Sequence, residues 1–277
     1  MQKHVFLLAA LTLFGFLGLS SAATAGTEII PPRITLTADQ TVDVLTIINH
    51  RTVTVSYDLD AHEWNQKPDG RMFLPPTENI RVEPTHLEIP PKGRAQIRIT
   101  AVSPAPVAGE AEQVYRISVQ EGADRLLEKN ETKVKVVSKF TLPVFQKPLH
   151  VAHHGRLSST PLINGALNIS VHNTGTGHTY VGNAVLTGQD ETGAEIFRIT
   201  RTGWYVLANG QLEFKVHIAA KDCHRSKIIT ASAQVLDSDE TWQTTISLDK
   251  TQCGDKTMSE FPIAGFTNAP IQPTALQ

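Results

Sequence analysis

Apolar and polar residues alternate with a period of two through most of the chain, which is the pattern of half-buried β-strands. In Thr52–Leu59 the apolar positions Val53, Val55, Tyr57 and Leu59 fall on one face. Similar runs precede Pro148 at Thr41–Ile48, Arg94–Thr100, Val114–Val119 and Lys133–Phe145. After Pro148 they recur at Ala166–Val171, Asn183–Thr187, Gln211–Ile218, Lys227–Val235 and Trp242–Leu248. No stretch has the periodicity of a long amphipathic helix.

Turn residues separate these runs, notably at Pro91-Lys92-Gly93 and Asn209-Gly210. The pattern predicts about seven strands before Pro148 and six or seven after it, which is typical of two immunoglobulin-like β-sandwiches in tandem. The boundary is expected within Lys147–Gly155. We therefore predict an all-β protein with an N-terminal domain at 26–148, a C-terminal domain at 149–255 and a tail at 256–277.

The first 25 residues have the layout of a secretory signal peptide. Lys3 precedes the apolar run Val5–Leu19, and Ala23-Thr24-Ala25 fits a cleavage site. The apolar run is short for a membrane anchor, which is the alternative, and no later stretch is apolar enough to span a bilayer. The sequence thus predicts an exported, soluble protein that is not inserted in the membrane after cleavage.

Composition narrows the function classes. The chain has 277 residues, of which 40% are hydrophobic and 19% charged, so a disordered chain is excluded. The formal net charge of −2 argues against a protein that binds nucleic acid through its phosphates. The 2 cysteines, Cys223 and Cys253, suggest one disulfide in an oxidising compartment, the alternative being two free buried thiols.

Catalytic motifs are absent from the sequence: it has no G-x-S-x-G, H-E-x-x-H, P-loop or G-x-G-x-x-G after a strand. Asp58, Asp60 and His62 share the polar face of one predicted strand, which favours a solvated sheet face. The histidines near the domain boundary lack convergent ligands for a metal site. We expect no enzyme activity, no cofactor and no bound metal.

An ordered set of short motifs runs through most of the mature chain. Domain one has Ile30-Pro31-Pro32-Arg33, Pro90-Pro91-Lys92-Gly93, Tyr115-Arg116-Ile117 and Leu142-Pro143-Val144-Phe145-Gln146-Lys147-Pro148. Domain two has Asn164–Asn173 and Gly203-Trp204-Tyr205-Val206-Leu207. This order resembles the periplasmic pilus-assembly chaperones of the chaperone–usher pathway, whose two domains form an L.

The resemblance implies a mechanism. Such chaperones bind pilus or fimbrial subunits that lack their last strand, donate a strand of their own, and deliver the subunit to an outer-membrane usher. β-strand addition of this kind covers an edge that would otherwise aggregate. Here the donor strand would be Lys133–Phe145, with Val134, Val136 and Ser138 at the inserted positions. The alternative is that these residues pack the core of their own domain.

The family also binds the carboxylate at the C-terminus of the subunit between an arginine and a lysine. Arg33 matches the arginine, whereas the lysine position falls on Pro143. Lys139, four residues earlier on the same strand face, is the candidate replacement; otherwise Arg33 acts alone, or the subunit is anchored differently. A further alternative is that Arg33 is a surface arginine that pairs with an acid. Glu121 and Lys147 match family positions that form a charged bridge between the domains.

A second function class stays open at this point: an exported two-domain β-sandwich of the cell envelope, such as an adhesin, without chaperone activity. Two features support this alternative: proline at 143 in place of the family lysine, and the C-terminal tail. The sequence names neither the subunit, the usher nor the type of fibre. An apolar donor strand also allows a self-capping dimer, in which two copies of the protein cover each other's donor strands.

Overall fold

The computed structural model describes residues 26–122, 137–236 and 240–254. The signal peptide and the tail predicted from the sequence lie outside these residues, as do Val134 and Val136. The first eleven strands are β1 Thr27–Ile30, β2 Ile34–Leu36, β3 Val42–Asn49, β4 Val55–Glu63, β5 Asn65–Gln66, β6 Met72–Phe73, β7 Ile80–Glu83, β8 His86–Ile89, β9 Arg94–Ala101, β10 Gln113–Glu121 and β11 Lys139–Gln146. The remaining elements are β12 Gly155–Ser159, β13 Ala166–Asn173, β14 Thr179–Gln189, β15 Glu195–Thr202, β16 Tyr205–Val206, β17 Gln211–His217, helix α1 Ala220–Arg225, β18 Ile228–Val235, β19 Thr241–Ile246 and a 3-10 helix at Lys250–Gln252.

The first group of strands forms a sandwich of two sheets, in the orders β1-β3-β9-β7 and β2-β11-β10-β4-β8. Inward-facing residues of both sheets, such as Leu45, Ile97 and Ile117, are fully buried between them. The alternation seen in the sequence produces this core because successive residues of a strand face opposite sides.

The second group forms another sandwich, from β12-β13-β17 and from β15-β14-β18-β19 with β16 attached to β14. Its core includes Val171, Phe214, Ile229 and the disulfide between Cys223 and Cys253. The predicted disulfide is therefore present, with 5.5 Å between the two Cα atoms. The change from one sandwich to the other falls between β11 and β12.

Two predicted turns form, and each contains one residue other than glycine with a positive φ. Lys92 has a φ of 58° and Asn209 one of 57°, and each is followed by glycine. The amide of Gly93 donates to the carbonyl of Pro90 at 3.0 Å, and that of Gly210 to the carbonyl of Leu207 at 2.9 Å. Each turn connects one sheet of its sandwich to the other, from β8 to β9 and from β16 to β17. The predicted all-β class is confirmed.

Candidate functional site

A cluster of large side chains joins the two sandwiches. Trp64 at the end of β4 and Phe145 on β11 are buried against Leu207 and Tyr205 of the second sandwich. The Phe145 ring stacks on the His178 ring with centroids 3.7 Å apart and planes 16° from parallel. Trp64 and Tyr205 meet edge to face at 5.5 Å. The outer face of the β2-β11-β10-β4-β8 sheet therefore abuts domain two at one end.

Buried polar groups fix this contact. Oε1 of Glu112, just before β10, lies 2.8 Å from Nδ1 of His178 and accepts the His178 amide at 2.5 Å. The amide of Glu112 donates to the carbonyl of Thr176 at 2.7 Å. The side-chain amide of Gln66 donates to the carbonyl of Tyr205 at 2.6 Å. Each bond crosses from one sandwich to the other, so hydrogen bonds as well as packing orient the domains.

Arg116 lies near the centre of β10, on the outer face of its sheet and buried beside domain two. Its neighbours Tyr115 and Ile117 point into the core, so alternation turns Arg116 to the outer face. The guanidinium carbon lies 3.8 Å from the centroid of Trp64 and 5.9 Å from that of Trp204 in domain two. The residue is 3% exposed. An arginine thus occupies an aromatic environment where the two domains meet.

Within the residues that the structure describes, the Arg116 guanidinium has no acidic side chain as a partner. Its Nη1 donates to the carbonyl of Thr141 at 3.2 Å, whereas Nε and Nη2 are buried without a hydrogen-bond partner. Burial lowers the pKa of Arg116 to about 10, because removal from water disfavours the charged form. Two unpaired donors on a buried cation are costly, and an anion with two oxygens would satisfy both.

Arg33 immediately precedes β2, whose parallel register with β11 begins at Ile34 beside Val144. Extending that register by one residue places Arg33 near Pro143, and Pro143 pairs with Arg116 on the other side of β11. Two strand spacings correspond to about 10 Å between the backbones of the two arginines. Arg33 is exposed and makes no hydrogen bond or ion pair within the described ranges. Both side chains are long enough to reach one ligand above Pro143.

Lys139 is not brought to this position. It pairs with Gln120 and lies four residues before Pro143 on β11, which corresponds to about 13 Å along the strand. Its side chain faces the same side of the sheet, but at the far end of β11 from the contact with domain two. Arg116, in contrast, is directly opposite Pro143, where the resemblance expects a lysine.

The edge of β11 is open along most of its length. β2 pairs only with Val144–Gln146, so Lys139–Pro143 has no strand on that side among the residues that the structure describes. On the other side, pairing with β10 continues past the strand, because the Glu121 amide donates to the carbonyl of Ser138 at 2.9 Å. Ser138 is half-buried and shares a face with Phe140 and Leu142, which pack on the core.

The predicted bridge between Glu121 and Lys147 is not formed. Glu121 ends β10, whereas Lys147 follows Gln146, which pairs with Gln113 at the start of β10. Glu121 instead accepts both guanidinium nitrogens of Arg51 at 2.7 and 3.0 Å, within domain one. The pair Glu112–His178 provides the interdomain contact that had been expected of Glu121 and Lys147.

Little in the sequence pointed to the Arg116 and Glu112–His178 contacts. Arg116 was part of the motif Tyr115-Arg116-Ile117 and was the one charged residue within the apolar run Val114–Val119, but neither feature assigned it a role. Asp58 is exposed as expected and lies 2.7 Å from His86. Across the described part of the chain, no group of three potential metal-ligating side chains occurs, and no helix is long and apolar enough to cross a membrane.

No protein-family model and no curated protein matches the chain. Among solved structures, it is similar to a chain of the CsuC–CsuE chaperone–tip subunit pre-assembly complex from archaic chaperone–usher Csu pili of Acinetobacter baumannii, with a TM-score of 0.56, 14% identity, and coverage of 80% of this chain and 98% of that one. The class 5 fimbriae chaperone CfaA gives a TM-score of 0.52 at 11% identity, covering 80% and 99%. The YadV chaperone gives 0.52 at 11%, covering 80% and 98%. The chain therefore has the two-domain β-sandwich fold of these chaperones.

Proposed function

We propose that this protein is a periplasmic chaperone that binds pilus or fimbrial subunits and passes them to an outer-membrane usher. It adds a β-strand to the subunit and binds the carboxylate at the subunit's C-terminus. Arg33 and Arg116 are the two cations of that carboxylate site. Arg116 pairs with Pro143, the position at which the resemblance expects a lysine, and Arg33 immediately precedes the strand that pairs with β11 on its other edge.

The unpaired Arg116 guanidinium is the observation that carries this proposal. A protein rarely retains a buried charge without a partner, because desolvation costs several kcal/mol, on the order of what an ion pair returns. Nε and Nη2 are sealed from solvent in the free protein, so a subunit carboxylate would have to displace neighbouring side chains to reach them. It would then form the paired geometry that guanidinium and carboxylate favour. Arg33, on the other side of Pro143, would contact the same carboxylate from its solvent side.

The open edge of β11 supports strand addition next to this site. No strand of the described residues pairs with that edge, and the row of side chains facing the core continues toward Ser138. Val134 and Val136 extend the same alternation outside the described residues, and we assign them to the groove of the subunit together with Ser138. Main-chain bonds would supply affinity and the alternate side chains specificity.

Periplasmic co-expression with candidate secreted subunits, followed by affinity pull-down, tests the proposal. We expect a subunit to be soluble and to co-purify with the wild type. Arg33→Ala, Arg116→Met and the double variant Val134→Asp plus Val136→Asp should each lose it. Arg98→Ala is the matched control, because Arg98 is an exposed arginine on β9, in the other sheet of domain one. Lys139→Gln tests the remaining cation on β11.

The outcomes separate the parts of the proposal. If both arginine variants still bind the subunit, the proposed carboxylate site is refuted. If the double valine variant still binds it, the proposed donor strand is refuted. If no subunit is stabilised by the wild type, the chaperone assignment fails, and an adhesin or another envelope-binding sandwich becomes the preferred function.

A further inference from the structure

The side of the second sandwich between β12 and β19 contains a groove at one end. Within the described part of the chain, β12 and β19 are edge strands of the two sheets of this sandwich, and they lie next to each other. At the start of β12 the two strands are tightly packed, because a Cβ atom at Gly155 would collide with the Trp242 ring. Where both strands end, at Ser159 and Ile246, the space between them forms a groove of about 720 Å³.

The groove has an apolar floor and a mixed rim. Leu162 and Ile246 are 4% and 3% exposed, and both belong to the core of the sandwich. Ile163, on the loop that joins β12 to β13, is 60% exposed at the rim. Thr245 and Asp249 line the groove on the β19 side. An extended segment with apolar side chains would remove Ile163 from water and gain the free energy of its burial.

The chain leaves domain two at this groove. Gln252 lines the groove, and its carbonyl accepts the amide of Gly165 at 2.7 Å. The next residue, Cys253, is held by the disulfide to Cys223. Gly254 is the last residue that the structure describes. The chain beyond Gly254 therefore starts from a fixed point at the rim of the groove.

The tail at 256–277 has large apolar residues within reach of the groove. Its sequence includes Phe261-Pro262-Ile263-Ala264-Gly265-Phe266. Phe261 follows Gly254 by seven residues, and seven extended residues span up to about 24 Å. The two walls of the groove, 159–163 and 245–249, are shorter, since five extended residues span about 17 Å. Because the tail is attached to the groove covalently, its effective concentration there is on the order of millimolar, so that weak apolar contacts would suffice to hold it.

We propose that the groove between β12 and β19 binds the tail of the same molecule, with Phe261 and Ile263 directed at Ile163 and the apolar floor. Alternate residues of an extended segment point to the same side, so Phe261 and Ile263 would face the groove together. The bound tail would also cover the edges of β12 and β19, which protects edge strands from pairing with other chains. The inference concerns domain two and does not depend on subunit binding by domain one.

Photo-crosslinking in the full mature protein tests the proposal. Benzoylphenylalanine, an aromatic photoreactive residue, is introduced in place of Phe261, or in place of Leu276 as the control position in the same tail, and mass spectrometry identifies the cross-linked peptides. A mixture of isotopically heavy and light protein separates cross-links within one molecule from those between two copies. We expect position 261 to cross-link within one molecule to 159–163 or 245–252, about fivefold more often than position 276.

Hydrogen exchange measures the same contact without a photoreactive residue. Phe261→Ser plus Ile263→Ser should raise the exchange rates of the amides in 159–163 and 245–252 by about fivefold, because the groove loses its cover. Ile163→Glu, at the exposed rim, should have the same effect, and Leu276→Ser should have none. Thermal unfolding identifies any variant that fails to fold, and the cross-linking experiment does not depend on Ile163→Glu.

Three results would overturn the proposal. Cross-links to the groove that join two copies would make the groove an interface in a dimer. Cross-links of position 261 to other surfaces, or no cross-link at all, would show that the tail does not bind in the groove. Groove amides that exchange equally fast in the wild type and in the double tail variant would show that the groove is open, and an external partner would then be its occupant.

Discussion

Replacement of Arg116 by methionine should stabilise the free protein and abolish subunit binding. Burial holds the pKa of Arg116 at about 10, well below its ordinary value. At about 1.4 kcal/mol for each pH unit, the uncompensated charge costs the fold about 3 kcal/mol. The variant loses the hydrogen bond to Thr141, worth about 1 kcal/mol, and the cation–π contact with Trp64, worth about 1 kcal/mol.

The net expectation for Arg116→Met is a gain of about 1 kcal/mol in the free energy of unfolding, or about 2–4 °C in melting temperature. Urea unfolding followed by tryptophan fluorescence measures it, with Arg98→Met as the control that should stay within about 0.5 kcal/mol of wild type. The folded-state pKa is lowered, so the wild type loses the cost of the buried charge as pH rises through about 10. The advantage of the methionine variant should therefore shrink above that pH.

A loss of more than about 1 kcal/mol in Arg116→Met would refute this reasoning. It would mean that the guanidinium stabilises the interface between the domains, and does not destabilise the free protein until an anion binds. Unchanged subunit binding by a folded Arg116→Met protein would be equally damaging, because it would leave the contacts with Trp64 and Thr141 as the only roles of the buried cation among the described residues.

Three further changes test other contacts. Arg51→Ala should cost about 2 kcal/mol in urea unfolding, since it leaves the Glu121 carboxylate buried and unpaired, and adding Glu121→Gln should recover part of the loss; full stability of the single variant would contradict this. Glu112→Ala should broaden the distance distribution between spin labels at Val53 and Ile228, one in each domain, because it removes both bonds to His178; an unchanged distribution would assign the domain angle to packing alone. Cys223→Ala plus Cys253→Ala should cost about 3.5 kcal/mol by the chain-entropy estimate, while subunit binding by domain one persists at low temperature; an unchanged unfolding midpoint would show that the disulfide contributes little.

The fold followed from the sequence because period-two alternation and turn residues are local signals. Thr52–Leu59 became β4 with a shift at its start, and the turn at Asn209-Gly210 formed as its residues favour. The site was only partly predictable, because it depends on which strands become neighbours. Lys139 was chosen by its distance from Pro143 along one strand, whereas Arg116 is close to Pro143 only through pairing between β10 and β11.

The contacts between the domains were even less predictable from the sequence. Glu112 and His178 are separated by 66 residues, and nothing in either local sequence marks them as partners. Glu121 was assigned to the wrong contact because the resemblance fixes its position along the chain but not which end of β10 faces domain two. Residues in contact across a domain interface are determined by the relative placement of two finished sandwiches, which a pattern within one strand does not encode.

The short parallel pairing of β2 with β11 has a consequence for the register of any added strand. Because β2 already covers Val144–Gln146, a strand that adds to the same edge can extend along Lys139–Pro143 and must end there. β2 therefore acts as a stop, and the arginine that immediately precedes it stands at the stopping point. The number of residues between that stop and each position of the added strand would then determine which side chains of the partner face the partner's groove. The length of the paired segment, and not side-chain recognition alone, would align the two chains.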